Sequence, residues 1–247
     1  MTRVLLTGSS GGVGRATQPA LADAGWDVRP FDLVGGQDLR DPQAVLEAMR
    51  GCAAVVHAGA LAHDTAGSPA DIVATNLLGT WHVLTAAEQC GISRVVYFSS
   101  AQVFGFAEGE GSPAYLPVDD DHPVTASRPY GMSKRLAEEM CRAWTARTGT
   151  PTIVLRPVLI LDDHSLAAYS PGTAELGAFV HVEDVAAAVV LAMTAELDGH
   201  HRMTLCGPGP FDTTRARTTL GWRATRTWGS AVGSPASGYR SDDYHAS

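Results

Sequence analysis

Short, almost continuously apolar runs at residues 4–6, 28–31, 53–57, 95–99 and 152–155 alternate with helix-length segments at 15–24, 42–50, 69–89 and 130–147. Runs that stay apolar without alternating read as strands covered on both faces. Parallel neighbours need a crossover of a dozen residues or more, and the intervening segments supply it. The order of elements therefore restricts the chain to an α/β fold on a doubly wound parallel sheet. Its rhythm breaks twice. Residues 103–128 hold three prolines, three glycines and the acidic run at 119–121, a long loop of the kind that carries function. Residues 228–247, rich in Ser, Gly and Ala, read as a flexible tail.

A length of 247 residues suits one large domain over 1–227 with a small appended lobe. Lys plus Arg is 18 against 26 for Asp plus Glu, a net charge of −8, which repels polyanions and argues against a nucleic-acid partner. The longest weakly polar stretch, 52–62, is interrupted by His57 and falls short of the roughly 18 apolar residues of a membrane span. The apolar run at the N-terminus is too brief for a signal-peptide core, so a cytoplasmic protein is expected. Cys52, Cys90, Cys141 and Cys206 lie too far apart for a compact disulfide framework or a zinc site, and no metal is expected.

Directly after the first run comes Thr7-Gly8-Ser9-Ser10-Gly11-Gly12-Val13-Gly14, and Arg15-Ala16 opens the helical segment. Gly8 suits a tight turn, Gly11 and Gly12 let backbone N–H groups approach a pyrophosphate, and Gly14 lets helix and strand pack closely. Such a cradle implies a dinucleotide. Asp32 stands at the tip of the second strand, 18 residues beyond Gly14. A carboxylate there accepts from an adenosine ribose and repels a 2′-phosphate, so NAD is expected in preference to NADP. Arg15 and Arg29 are the cations nearby, and strand alternation turns Arg29 away from the face of Val28 and Pro30.

Tyr130 and Lys134, in Tyr-Gly-Met-Ser-Lys, are four apart and share one face of a helix. A phenol titrates near about 10, and a cation within about 4–6 Å favours the phenolate, so the pair reads as a tuned proton donor. Ser100 ends Val95-Val96-Tyr97-Phe98-Ser99-Ser100, at the carboxyl end of a central strand where such sheets bind ligands. Its hydroxyl is a candidate to hold a substrate oxygen. His57 reads as a core histidine, and His181 as structural.

Together these residues resemble the extended short-chain dehydrogenase/reductase family, the NAD-dependent sugar epimerases, dehydratases and dehydrogenases. The matching pieces run in order from Thr7 to Trp222: TGSSGGVG at 7–14, Asp32, Asp38-Leu39, VVHAGA at 55–60, NLLGTWHVLTAA at 76–87, YFSSAQVFG at 97–105, YGMSK at 130–134, LRP at 155–157, FVHVEDVAAAVVLAM at 179–193 and FDTTRARTTLGW at 211–222. The resemblance implies a Rossmann fold with a small C-terminal substrate lobe, whose segments fall near 158–178 and 200–227, and a homodimer built through the helices at 76–89 and 130–147. It implies that Tyr130 is the acid/base, that Lys134 lowers its pKa and holds the nicotinamide ribose, and that Ser100 orients the reacting oxygen. Asn76 matches the helix asparagine near the proton path. Gly8, Gly11, Gly12, Val13 and Gly14 would cradle the pyrophosphate, Asp38 and Leu39 would contact adenine, and Ala58 and Gly59 would line the cofactor by backbone.

Departures from the family pattern narrow the reaction. Dehydratase-like members carry an acid pair where this chain has Ala101-Gln102, which cannot transfer the extra proton. Epimerases follow the Arg-Pro region with an asparagine and a Gly-Pro turn, whereas here Arg156-Pro157 continues as Val158-Leu159-Ile160-Leu161. Little chain separates Pro157 from Phe179, which favours a small substrate over a nucleotide sugar. The expectation is an NAD-dependent oxidoreductase acting on a small sugar-like alcohol or ketone, similar to uronate dehydrogenases, with Arg156 or Arg128 to pair with a carboxylate. A UDP-sugar 4-epimerase and a catalytically silent NAD-binding regulatory protein are the alternatives.

Overall fold

The computed structural model describes residues 1–106, 110–168 and 178–226. Six parallel strands, β1 (Thr2–Thr7), β2 (Trp26–Phe31), β3 (Ala54–His57), β4 (Arg94–Phe98), β5 (Thr152–Pro157) and β8 (His200–Leu205), form one sheet in the order β2-β1-β3-β4-β5-β8. Two short strands, β6 (Leu159–Leu161) and β7 (Phe179–His181), pair in parallel beside it. The helices are α1 (Gly12–Asp23), α2 (Pro42–Met49), α3 (Pro69–Ile72), α4 (Gly79–Gln89), α5 (Pro129–Thr148), α6 (Asp163–Ala168), α7 (Val182–Thr194) and α8 (Thr214–Leu220).

The buried strands show why the apolar runs did not alternate. Val4, Leu6, Val56, Val96, Ile153 and Leu155 point to the face packed by α1 and α7. Leu5, Val55, Val95, Tyr97 and Val154 point to the opposite face, toward α2, α4 and α5. Both faces are core, so apolar side chains dominate each, and the buried polar ones, such as His57 and Arg156, are hydrogen-bonded.

Three differences from the expected elements have clear causes. The segment 69–89 is not one regular helix: a π-helical stretch, Val73–Leu78, joins α3 to α4 and turns Asn76 inward to full burial. The sixth strand, His200–Leu205, lacks an apolar signature because it is an edge strand whose first three residues stay half-exposed. Helix α1 starts at Gly12, three residues before the expected 15, so its first turn belongs to the glycine stretch. The segment 222–226 is pinned at the start of α7, where Asp184 accepts from Thr225 N and Oγ1 and Arg226 N, and its carbonyl accepts from Trp222 Nε1. The expected tail at 228–247 lies outside the described residues, as do 169–177 of the 158–178 segment.

Strand order reverses at β1, whose neighbours β2 and β3 are reached by crossovers on opposite faces. A crevice opens at the carboxyl ends of β1 and β3, the place where ligands enter sheets of this kind.

Candidate active site

At this crevice the backbone of the β1–α1 turn meets that of the β3 exit. Gly8 has φ +70°, and a Cβ on it would stand 2.6 Å from Gly59 N. A Cβ on Gly14 would stand 2.2 Å from Gly8 O, so only glycine lets α1 close on the turn. Gly12 differs, since a Cβ there would meet nothing within 4 Å. Its bareness serves the open side of the crevice, where helix N–H groups face outward. All ten residues expected from Gly8 to Gly59 to contact a cofactor line one cavity of about 630 Å³ at this place.

Asp32 directly follows β2 and braces the turn: Oδ2 accepts from Ser10 N at 2.9 Å and Oδ1 from Val34 N at 3.0 Å. Of the nearby cations, Arg29 donates to Ala48 O and Arg50 O, away from this carboxylate, while Arg15 donates to Ser10 O. Asp38 holds Arg40 through a fork of hydrogen bonds, and that guanidinium keeps its carboxyl below the usual range.

Beneath the crevice runs a buried chain of hydrogen bonds centred on His57. Thr80 Oγ1 donates to Asn76 O at 2.5 Å, so His57 Nε2, 3.0 Å from Thr80 Oγ1, donates to that hydroxyl. The other ring nitrogen, Nδ1, then accepts from Thr7 Oγ1 at 2.7 Å, and Thr7 Oγ1 accepts from Gly59 N. Burial, with the Lys134 charge adding to it, pushes the His57 pKa down to about 3. His57 is thus a neutral core residue that ties the turn to the Asn76 segment.

Asn76 itself clamps neighbouring backbone. Its Oδ1 accepts from Leu61 N, and Nδ2 donates to Leu61 O and to Ser133 Oγ, which in turn donates to Tyr130 O. Asp64 reaches the same helix from the β3–α3 loop, accepting from Tyr130 N at 2.7 Å. This carboxylate supplies the cap that Arg128, at the start of α5, does not.

Ser100 and the Tyr130–Lys134 pair come together where β4 ends against the first turns of α5. Ser100 Oγ accepts from Gln102 N and caps a 3₁₀ turn, Ala101–Phe104. A Cβ on Gly131 would stand 2.8 Å from Gln102 O, a measure of how closely that turn meets the helix. Lys134 is 3% exposed; its Nζ donates to Phe98 O at 2.7 Å and lies 5.1 Å from the Tyr97 ring centroid and 5.9 Å from that of Tyr130. Burial lowers its pKa to about 8, while Cys141 and Glu138 act to raise it.

Arg156, expected as a partner for a substrate carboxylate, is not available for that. It is completely buried, with Nε and Nη2 donating to Glu138 at 2.8 and 2.5 Å and Nη1 to Asp120 O. Glu138 also accepts from Ser99 Oγ at 2.5 Å. Glu138, Ser99 and Asp64 were not singled out in the sequence. For Glu138 a signal existed, one turn beyond Lys134 on the same helix face; for Asp64, 66 positions from Tyr130, none did.

A parallel sheet with a glycine turn at its reversal point, and with Ser100, Tyr130 and Lys134 near the end of β4, has the architecture of a nucleotide-binding Rossmann fold. The model of the NAD dependent epimerase/dehydratase family matches residues 4–164, and the chain belongs to that family. A uronate dehydrogenase from Pseudomonas syringae is 29% identical over 166 residues, 62% of this chain and 58% of that one. A UDP-glucose 4-epimerase from Azospirillum brasilense is 33% identical over 172 residues, 62% of this chain and 48% of that one. The chain thus spans roughly half the length of these relatives. A short-chain dehydrogenase/reductase superfamily protein from Agrobacterium tumefaciens, solved with bound NAD, superposes with a TM-score of 0.79 at 26% identity, covering 93% of this chain and 94% of that one.

Proposed function

We propose that the chain is an NAD-dependent oxidoreductase that exchanges hydride with a small sugar-like alcohol or ketone. The observation that carries this reading is the close packing of the turn that Ser100 caps against Gly131, one residue after Tyr130, with Lys134 bonded to Phe98 O at the end of β4. The crevice fits a dinucleotide: glycines stand where a Cβ would fill the turn, a helix N-terminus faces the cavity, and Asp32 lies where a ribose would sit. Gly8, Gly11, Gly12, Val13 and Gly14 would hold the pyrophosphate, with Asp38 and Leu39 toward the adenine and Ala58 and Gly59 along the backbone wall. When bound, NAD supplies the redox chemistry.

The chain's own groups do the rest. Lys134 keeps a charge beside the Tyr130 phenol, which favours release of its proton, and it offers further N–H donors to a ribose. Tyr130 passes the proton to or from the substrate oxygen, and Ser100 holds that oxygen in place. Asn76 keeps the tyrosine turn in register through Ser133 and Leu61. A small substrate would meet the described parts of the expected lobe, 158–168 and 200–226. With Arg156 spent on Glu138, the carboxylate of a sugar acid would fall to Arg128, exposed at the cap of α5.

We further propose a cytoplasmic homodimer. Cys52, Cys90 and Cys141 stand as thiols outside any disulfide, as a reducing compartment allows, and among the described residues no helix is long and apolar enough to cross a membrane. Leu78, at the end of the π-helical stretch, Trp81 on α4 and Leu136 on the neighbouring α5 present exposed apolar side chains, which suit a partner copy.

Cofactor choice tests the crevice. Asp32→Ala should lower the preference for NAD over NADP, measured as the ratio of the two dissociation constants by calorimetry. An unchanged ratio removes Asp32 from cofactor selection.

A further inference from the structure

We infer that the buried Glu138–Arg156 pair is a positioning device that sets the end of β4 against the catalytic helix; this rests on the oxidoreductase reading above. Helix α5 grips β4 at two successive residues. Lys134 takes Phe98 through its carbonyl, and Glu138, one turn later, takes Ser99 through its hydroxyl. Because strand side chains alternate, the direction in which Ser99 is held fixes the direction in which Ser100 points.

Glu138 can hold Ser99 only if its own charge is answered. Arg156 does so from β5 with two donors, and its third nitrogen reaches Asp120 O in the loop at 110–128. Asp120 is fastened in turn by Thr204 N and Oγ1 on β8. The guanidinium also lies 5.3 Å from the Phe104 ring, in the 3₁₀ turn that Ser100 caps. One pair thereby joins β4, α5, β5, β8 and the loop over the site.

Stability alone does not account for it. Replacing a buried ion pair by packed apolar side chains is often neutral or stabilising, because two charges no longer need desolvation. The groups that pair fixes, Ser100 and the first turns of α5, are those where displacement by about 1 Å costs about 100-fold in rate.

The test compares Glu138→Met/Arg156→Met, Glu138→Gln and Ser99→Ala with wild type, using thermal unfolding, NAD affinity by calorimetry, and kcat and KM. The double variant should unfold near the wild-type temperature and bind NAD equally, yet lose about 100-fold in kcat at similar KM. Glu138→Gln, which keeps an acceptor for Ser99, should recover about tenfold of that loss. Ser99→Ala should lower kcat about tenfold without moving the unfolding temperature, and it decides the matter if the double variant does not fold. A folded, NAD-binding double variant with kcat within about threefold of wild type, or an unchanged kcat in Ser99→Ala, overturns the proposal. Absence of turnover in wild type would instead count against the oxidoreductase reading.

Discussion

Lys134 carries a charge in a place that penalises it. Burial brings its pKa from the ordinary 10.5 to about 8, and the titratable groups facing it are His57 on β3, Tyr97 on β4 and Tyr130, Glu138 and Cys141 on α5. A folded-state pKa below the unfolded one means the unfolded chain binds more protons between the two values, so the fold gains stability as pH rises from about 8 toward 10.5. Below about 8 both states are protonated and the cost is fully present. The unfolding temperature of wild type minus that of Lys134→Met should therefore increase from pH 7 to pH 10, and a constant difference would contradict the assignment. His57 works in the acid range with the same sign: its stabilisation is complete above 6.5 and is lost as pH falls through about 3. Tyr130→Phe removes one hydroxyl from the site and leaves the glycine crevice intact. It should bind NAD with wild-type affinity and show almost no turnover in steady-state assays; wild-type turnover would take Tyr130 out of the mechanism.

Within the elements, what could be read from sequence was the chemistry written over a few neighbouring residues. The glycine turn occupies eight consecutive residues, 7–14, and Tyr130 with Lys134 needs one helical repeat, so the local geometry of both is legible in the sequence. Pairings between elements did not. Nothing local marks Asp64 as the cap of α5 or Arg156 as the partner of Glu138, since the sheet order brings them together. Local periodicity also could not reveal that residues 73–78 wind as a π-helix, because one altered turn hides inside an otherwise helical segment. Strand β8 escaped because its first half, His200-His201-Arg202, is polar and only partly buried. The turn itself supplies a contrast. Gly14→Ala, whose methyl would meet Gly8 O, should lower the unfolding temperature and abolish NAD binding. Gly12→Ala, with open space, should unfold like wild type and still lose NAD affinity, because its methyl occupies the approach to the helix N-terminus. Equal unfolding temperatures for both variants would show that Gly14 is not a packing glycine.

Taken whole, the molecule devotes most of its length to the sheet and crevice, and the chain between Pro157 and Phe179 is short. That short connection accords with the small substrate proposed above, and Leu78, Trp81 and Leu136 expose apolar side chains on the side of α4 and α5. Trp81→Glu should convert a dimer to a monomer in light scattering while the fold persists; a wild-type chain that is monomeric at micromolar concentration excludes this interface. Net oxidation or reduction at this site is the behaviour that separates an oxidoreductase from an epimerase. Its most direct measurement is NADH absorbance during incubation of the protein and NAD with free sugars, sugar acids and UDP-sugars, with the products analysed alongside. NADH should form in step with oxidation of a small sugar-like substrate. Isomerised UDP-sugar without net NADH, or bound NAD with no product from any of them, would contradict it.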